Sequence, residues 1–355
     1  MTAVREPTRS PTTAKSVPPR PAGTLVRQVV APSVAALVGS GTRSPMVPED
    51  SYSGARFEWV VIGGVRHVLK YQDLRDDIFM RATGDVGHRY VALWESGVLD
   101  ALPEVIDHAT VGCALEGRVG AILMRDVGDR LLPPGDIVFP MDQHRRFLAH
   151  MAALHAAFWG FRDTVGLTPL ANRYVFFTPA MAGLEARRGG VLPPILEMTV
   201  KGWAAFRGLA PELAGVIAAL HTDATPLLDA LAALPHTLVH GDWKAGNLGE
   251  QPDGRTVLLD WGELPGEASP LADLAWYLSI NAARLPESKL DTAAAYRQEL
   301  ERCGVATAPW WEDAFAVEML ATTMQLGWNK ALGDQAEMDW WRHWAGRGAR
   351  CLGLA

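Results

Sequence analysis

Three cysteines among 355 residues, Cys113, Cys303 and Cys351, are too few and too widely spaced to make a disulfide framework. No CxxC pair or His-rich cluster accompanies them, which excludes a structural zinc site and leads us to expect a reducing, cytoplasmic setting. Long apolar runs are missing too. The longest, Val29–Val38, contains Pro32 and is too short to span a bilayer, so no membrane partner is expected. The N-terminus also lacks an apolar signal core. Positive charge is in deficit: 33 Lys+Arg against 40 Asp+Glu give a formal net charge of -7. A general nucleic-acid binder needs a basic face for phosphates, so that class is excluded. Two enzyme signatures are absent as well. Without GxSxG a serine hydrolase is disfavoured, and without GxxxxGKS/T so is a P-loop enzyme.

Hydrophobic residues make up 48% and charged residues 21%, ordinary globular usage that excludes global disorder. At about 150 residues per domain the length suggests two domains or lobes. Residues 1–23 carry Pro7, Pro11, Pro18, Pro19 and Pro21 among Thr, Ser and Arg. They predict a disordered tail; a transit peptide needs an amphipathic helix that is not evident.

In the segment Ala55–Lys70 two β-rich runs flank Gly63-Gly64, a two-residue hairpin signal. In that register paired numbers sum to 127. Lys70 then ends the second strand opposite Phe57 and shares a face with Val68 and Arg66. Ahead lies a small-residue loop, Ser51-Tyr52-Ser53-Gly54. A lysine facing such a loop can hold phosphate oxygens or simply be solvated. A helix is predicted over 88–102 and a buried strand over 119–124. The break from Arg125 to Asp129, closed by Pro133-Pro134-Gly135, marks a lobe boundary. The two lobes expected are 24–125 and 126–355.

The second region reads as mostly helical. The period predicts a helix over 142–159, with Asp142 as N-cap and His155 on the apolar face as a core histidine bonded to backbone. Further helices are predicted near 178–186, 212–233, 272–283, 288–303, 310–332 and 336–350. Trp310, Trp311, Trp328, Trp340, Trp341 and Trp344 form either core or a wall for a cationic substrate.

Chemistry concentrates in 237–260, TLVHGDWKAGNLGEQPDGRTVLLD. If Asp253-Gly254 is a two-residue turn, paired numbers sum to 507, and Asn247 lies opposite Asp260 at the open end. An amide oxygen and a carboxylate about 4.5–5.5 Å apart at Cβ can share one hard cation. Mg²⁺ suits few protein oxygens completed by substrate phosphates. Asp242, just before this pair, could accept a proton from an attacking hydroxyl. Lys244 could neutralise charge on a transferring phosphoryl group.

The run His240-Gly241-Asp242-Trp243-Lys244-Ala245-Gly246-Asn247, with Asp260-Trp261-Gly262, resembles the catalytic and metal-binding loops of the aminoglycoside phosphotransferase / choline kinase-like family. The likeness spans roughly Ser51 to Trp344 and is specific only over 237–278. It implies an α+β, bilobal, protein-kinase-like fold and an ATP- and Mg²⁺-dependent transfer of phosphate to a hydroxyl. By position, Asp242 resembles the catalytic base, Asn247 and Asp260 the Mg²⁺ ligands, and Lys70 the lysine on the α- and β-phosphates. Ser53 and Gly54 must serve over the phosphates, because no GxGxxG occurs. Leu123-Met124-Arg125-Asp126 resembles the hinge that holds adenine, which places Met124 and Asp126 at the nucleotide. Asp273 resembles the aspartate that braces the catalytic loop, and is also placed to cap a helix; His240 supports the same loop. Glu95 is the candidate partner of Lys70, or else faces solvent.

The resemblance fixes the reaction better than the acceptor. Only thirteen positions separate Asp260 from Asp273, too few for a peptide-binding activation segment, and Gly241 replaces the arginine of HRD. The expected partner is therefore a small polar hydroxyl compound of the aminoglycoside, amino-sugar or choline kind. Glu312, Asp313, Glu318, Asp334, Glu337 and Asp339 are expected to hold its amine. The alternative is a catalytically inactive, kinase-like nucleotide-binding protein, although Lys70, Asp242, Asn247 and Asp260 are all present. The oligomeric state is not legible.

Overall fold

The computed structural model describes residues 25–47, 52–189 and 191–355. The expected tail over 1–23, and Ser51, lie outside them.

Among the described residues eleven strands and thirteen α-helices follow one another in an α+β order, with β-structure dominating up to Arg125 and helix thereafter. The first seven strands are β1 (Val30–Ala31), β2 (Thr42–Met46), β3 (Arg56–Ile62), β4 (Val65–Asp73), β5 (Ile106–Asp107), β6 (Thr110–Glu116) and β7 (Val119–Arg125). Six of them form one sheet in the order β1-β6-β7-β4-β3-β2, and β5 joins a smaller sheet described below. Three helices punctuate this half: α1 (Val34–Val38), α2 (Ile78–Thr83) and α3 (Arg89–Ser96). The β3–β4 hairpin pairs Phe57 with Lys70, the register read from sequence. Gly63 and Gly64 both take positive φ, 57° and 81°, the two left-handed positions that a tight hairpin demands. The strand does not end at Lys70, however; β4 continues to Asp73 because β7 pairs with it from His67 to Asp73.

The second half is built on α4 (Met141–Ala157), α5 (Leu170–Val175), α6 (Pro179–Ala186), α7 (Pro194–Leu209), α8 (Pro211–Thr222) and α9 (Thr225–Ala232). After an intervening β segment come α10 (Leu271–Ile280), α11 (Lys289–Arg302), α12 (Trp311–Lys330) and α13 (Gln335–Cys351). The helix expected over 212–233 is two helices. Asp223 accepts the N–H of Thr225 at 2.9 Å, and Pro226 can begin a helix but not continue one. Asp142 lies in the first turn of α4, not at its cap, which is Pro140. Helices α5 and α7 were not expected. The axis of this half is α12, buried nearly all round, which packs on α7, α10 and α13. Trp311, Trp328 and Trp341 are core, and Trp310, Trp340 and Trp344 lean on that core half-buried. Among the described residues no helix is long and apolar enough to cross a membrane.

Between α9 and α10 lie four short strands: β8 (Thr237–Val239), β9 (Leu248–Glu250), β10 (Thr256–Leu258) and β11 (Gly266–Ala268). Strand β8 pairs with β11, while β10 lies between β9 and β5. The chemistry-bearing loops leave the ends of β8 and β10.

Candidate active site

The loop after β8 is held from beneath. Asp273, in the first turn of α10, is fully buried and accepts the N–H of His240 at 2.8 Å and of Gly241 at 2.6 Å. Burial works against its charge, but the hydrogen bond from His155 and the Arg173 guanidinium hold the carboxyl below its ordinary range. Asn281, which ends α10, accepts the N–H of Ala245 at 2.8 Å and donates to the carbonyl of Trp243 at 3.0 Å. Gly241 has φ 85°, and a Cβ there would sit 2.3 Å from the carbonyl oxygen of Leu264. No L side chain fits, so glycine stands where HRD carries arginine.

His240 ties this loop to the end of β10. Its Nε2 lies 2.9 Å from the carbonyl of Leu259, and Nδ1 accepts the N–H of Asp242 at 3.1 Å. Trp261 packs edge-on against the ring, with centroids 4.6 Å apart. Burial pushes the His240 pKa down, so the imidazole is neutral with its proton on Nε2.

Asp242 is fixed on both oxygens. Oδ1 accepts the indole N–H of Trp276 at 2.8 Å, and Oδ2 accepts Nδ2 of Asn247 and pairs with Lys244 Nζ, each at 2.8 Å. It is 3% exposed, so its orientation is set by these neighbours and not by solvent.

The hairpin register differs from expectation. Leu258 pairs with Leu248 and Thr256 with Glu250, so paired numbers sum to 506. Pro252-Asp253-Gly254 is a three-residue connection, closed by Gln251 and Arg255, with Gly254 at φ 87° in the left-handed third position. Leu259, not Asp260, therefore faces Asn247, and its N–H bonds to the Asn247 carbonyl at 2.9 Å. Asp260 comes one residue later at φ 66°, a strained conformation for a residue with a Cβ. That turn carries its carboxylate across to the N-terminal sheet, where Lys70 Nζ lies 2.5 Å from Oδ1. Gly262 follows in a gap bounded by Gln72 and Tyr90 that a Cβ would fill.

Lys70 does not pair with Glu95. Its partners are Asp260 and, at 3.6 Å, Glu263. Helix α3 turns Tyr90, Val91 and Leu93 inward and sends Glu95 outward to Arg27 at 2.5 Å. Burial opposes the charge on Lys70, but Asp260 and Glu263 outweigh it and raise the ammonium pKa. Burial and the Asp260 carboxylate together drive Glu263 well above the usual range. Asp77, the N-cap of α2, is also raised, chiefly by burial. The remaining nucleotide candidates lie in the loop before β3 and at the end of β7. The Ser53 carbonyl accepts the N–H of Ile78 at 2.9 Å, and Gly54 at φ 90° lies against the Asp76 carbonyl. Met124, paired with Val68 on β4, is buried at the end of β7. Asp126 just beyond it bonds Arg66 at 2.6 Å.

The donor set fits a hard cation. Asn247 spends its Nδ2 on Asp242 and Asp260 receives Lys70 on Oδ1, which leaves Asn247 Oδ1 and Asp260 Oδ2 without a protein donor among the described residues. Two oxygens completed by phosphates and water suit Mg²⁺. No group of three or more His, Cys, Asp or Glu placed to hold a metal occurs among the described residues.

The acids expected to hold an amine are otherwise engaged. Glu318 is fully buried and accepts the hydroxyl of Tyr174; Glu337 pairs with Lys289 and Lys330; Glu312 pairs with Arg297; Asp334 caps α13; and Asp339 pairs with Arg342. Asp313 is exposed in the first turn of α12. Trp276, Asn281 and Glu263 were missed. The first two had a signal: with Asp273 they are polar or aromatic at i, i+3 and i+8 of one helix running away from the loop. Glu263 was legible only as an acid following Asp260-Trp261-Gly262.

A loop carboxylate braced by a helix, beside a lysine and two side-chain oxygens without a protein donor, suits the phosphotransferase class of site. The chain belongs to the phosphotransferase enzyme family, whose model matches residues 87–305. Its β-rich first half and helical second half are the α+β arrangement that the sequence resemblance implied. Among solved structures, choline kinase LicA from Streptococcus pneumoniae aligns at 12% identity over 91% of this chain and 96% of its own, with a TM-score of 0.47. The aminoglycoside-3'-phosphotransferase of type VIII aligns at 19% identity over 79% and 93%, with a TM-score of 0.42. Macrolide 2'-phosphotransferase MphH from Brachybacterium faecium aligns at 17% identity over 88% and 95%, with a TM-score of 0.41. No curated protein matches the chain in sequence.

Proposed function

We propose that this protein transfers the γ-phosphate of ATP to a hydroxyl of a small polar molecule. The observation that carries the reading is the ion pair of Lys70 with Asp260, which joins the sheet to the loop end beside Asp242. On this reading residues 24–125 hold the nucleotide and 126–355 carry the catalytic loop and acceptor. Lys70 exchanges its carboxylate partner for α- and β-phosphate oxygens, with Ser53 and Gly54 above and the backbone near Met124 and Asp126 at the base. Asn247 and Asp260 are the residues that hold Mg²⁺, which neutralises phosphate charge when bound. Asp242 orients the acceptor hydroxyl and takes its proton, while Lys244 offsets charge on the group in transit.

The acceptor meets Asp242 beside Trp276, which belongs to neither the acids nor the C-terminal tryptophans expected to hold it. An amine on the acceptor thus has no free carboxylate among those six apart from Asp313, and recognition rests on shape and hydroxyl contacts. Lys70, Asp242, Asn247 and Asp260 are all retained and mutually engaged, which favours turnover over an inactive nucleotide binder. A screen of ATP consumption against aminoglycosides, amino sugars, choline, ethanolamine, homoserine and nucleosides tests the reading. Stoichiometric ADP and phosphorylated acceptor are expected; ATP binding without transfer to any hydroxyl compound counts against it.

A further inference from the structure

Three fully buried side chains from three different helices meet under the catalytic loop: Asp273 of α10, His155 of α4 and Tyr296 of α11. His155 Nε2 lies 3.1 Å from Asp273 Oδ2, and Nδ1 lies 2.6 Å from the Tyr296 hydroxyl. The two rings meet edge to face, with centroids 5.8 Å apart. This is not the core histidine bonded to backbone that the sequence suggested. Only a nitrogen bearing hydrogen can face the carboxylate, so Nε2 is protonated. That leaves Nδ1 to the tyrosine hydroxyl. Tyr296 has no other hydrogen-bond partner among the described residues.

The contact has a direct line to the base. Asp273 Oδ2, which His155 touches, also accepts the N–H of His240, and Oδ1 accepts that of Gly241. Asp242 is the next residue. The His155 carbonyl further accepts the hydroxyl of Thr237 at 2.7 Å, at the start of the strand that leads into this loop. One histidine thus holds both the strand entering the loop and the carboxylate beneath it.

We propose that His155 and Tyr296 are positioning residues for phosphoryl transfer, which lock the Asp273 carboxylate in the rotamer that orients the Asp242 loop. The proposal rests on the phosphotransfer reading above. Neither residue touches a reactant. A carboxylate in water-free surroundings with one donor removed turns toward its remaining partners, and the loop amides follow it. Misplacing a reacting group by about 1 Å costs about 10²-fold in rate.

Three variants, His155→Leu, His155→Gln and Tyr296→Phe, test this with two readouts. The first is kcat and KM for ATP, normalised to folded protein. His155→Leu should lose about a hundredfold in kcat with KM for ATP little changed. His155→Gln, whose amide can donate to Asp273 and accept from Tyr296, should recover to within about tenfold of the native enzyme. Tyr296→Phe, which keeps the ring and frees Nδ1, should fall between them. The second readout is amide hydrogen exchange, which needs no substrate. The His240 and Gly241 amides should exchange about tenfold faster in His155→Leu, with α13 unchanged. Equal kcat in all variants per folded molecule, equal damage in the Gln and Leu variants, or acceleration spread evenly over the helical half would each overturn the proposal. Selective acceleration in a protein that transfers phosphate to no hydroxyl compound would keep the positioning role and overturn the phosphotransfer reading instead.

Discussion

The indole N–H of Trp276 donates to Oδ1 of Asp242 at 2.8 Å, and both groups are buried. The bond leaves Asp242 one orientation. Oδ2 is already held by Asn247 and Lys244, so the whole carboxylate plane is set by three neighbours. In the role of base proposed above, a carboxylate fixed this way loses little freedom on approaching the transition state, which is the physical content of preorganisation.

Trp276→Phe keeps the aromatic wall and removes that donor. We expect kcat to fall about tenfold, equivalent to about 1.4 kcal/mol, with KM for ATP unchanged. Steady-state kinetics on any accepted acceptor check this; an unchanged kcat means that the indole only packs.

Lys70→Ala should damage ATP use and stability together. The ammonium offsets Asp260 and Glu263, and its removal leaves these half-buried carboxylates without their nearest cation. KM for ATP should rise at least about tenfold and Tm should fall. Kinetics with ATP varied, beside a thermal melt, separate the two effects. An unchanged response to ATP places Lys70 outside the nucleotide site.

How far these residues could be read from sequence depended on local turn chemistry. Gly63-Gly64 fixed the Lys70 register because two adjacent left-handed residues admit one hairpin geometry. Asp253-Gly254 misled by one position because Gly254 is the third residue of its loop, a choice set by packing and not by the dipeptide. The outward turn of Glu95 was hidden for a similar reason. Helix α3 ends at Gly97 with φ 78°, too short to show which face its period buries. Helix α7 begins at Pro193-Pro194, which reads as a loop, yet proline at the first helical position starts a helix readily. The Asp273 and His240 contacts were foreshadowed by motif, whereas Tyr296 and Asn281 had to be brought in by tertiary packing.

Asn247 and Asp260 should act as one Mg²⁺ site although they are not cross-strand partners. Each alanine variant should weaken Mg²⁺-dependent nucleotide binding, and the double variant should add little, a coupling of about 0.5–3 kcal/mol in a double-mutant cycle. Calorimetric titration of nucleotide with and without Mg²⁺ measures it. Additive losses indicate separate roles.

Glu318 gives the fold a pH dependence. Burial raises its pKa from 4.5 to about 7, so the folded protein holds this proton where the unfolded chain has released it. A raised acid favours folding at low pH, and stability is lost as pH climbs from about 4.5 through about 7. Glu318→Gln should remove this loss and gain stability over the native protein at pH 8 compared with pH 5. The gain is of the order of a few kcal/mol, at about 1.4 kcal/mol per tenfold change in the proton equilibrium. Melts of both proteins at the two pH values decide it; parallel shifts mean that Glu318 is ionised in place.

The most direct measurement is transfer of labelled γ-phosphate from ATP to an accepted hydroxyl compound, comparing the native protein with Asp242→Asn. The account predicts a loss of about 10²–10⁴-fold in kcat for the variant, with the Kd for Mg²⁺-ATP retained. Near-native transfer by Asp242→Asn on the same acceptor contradicts it.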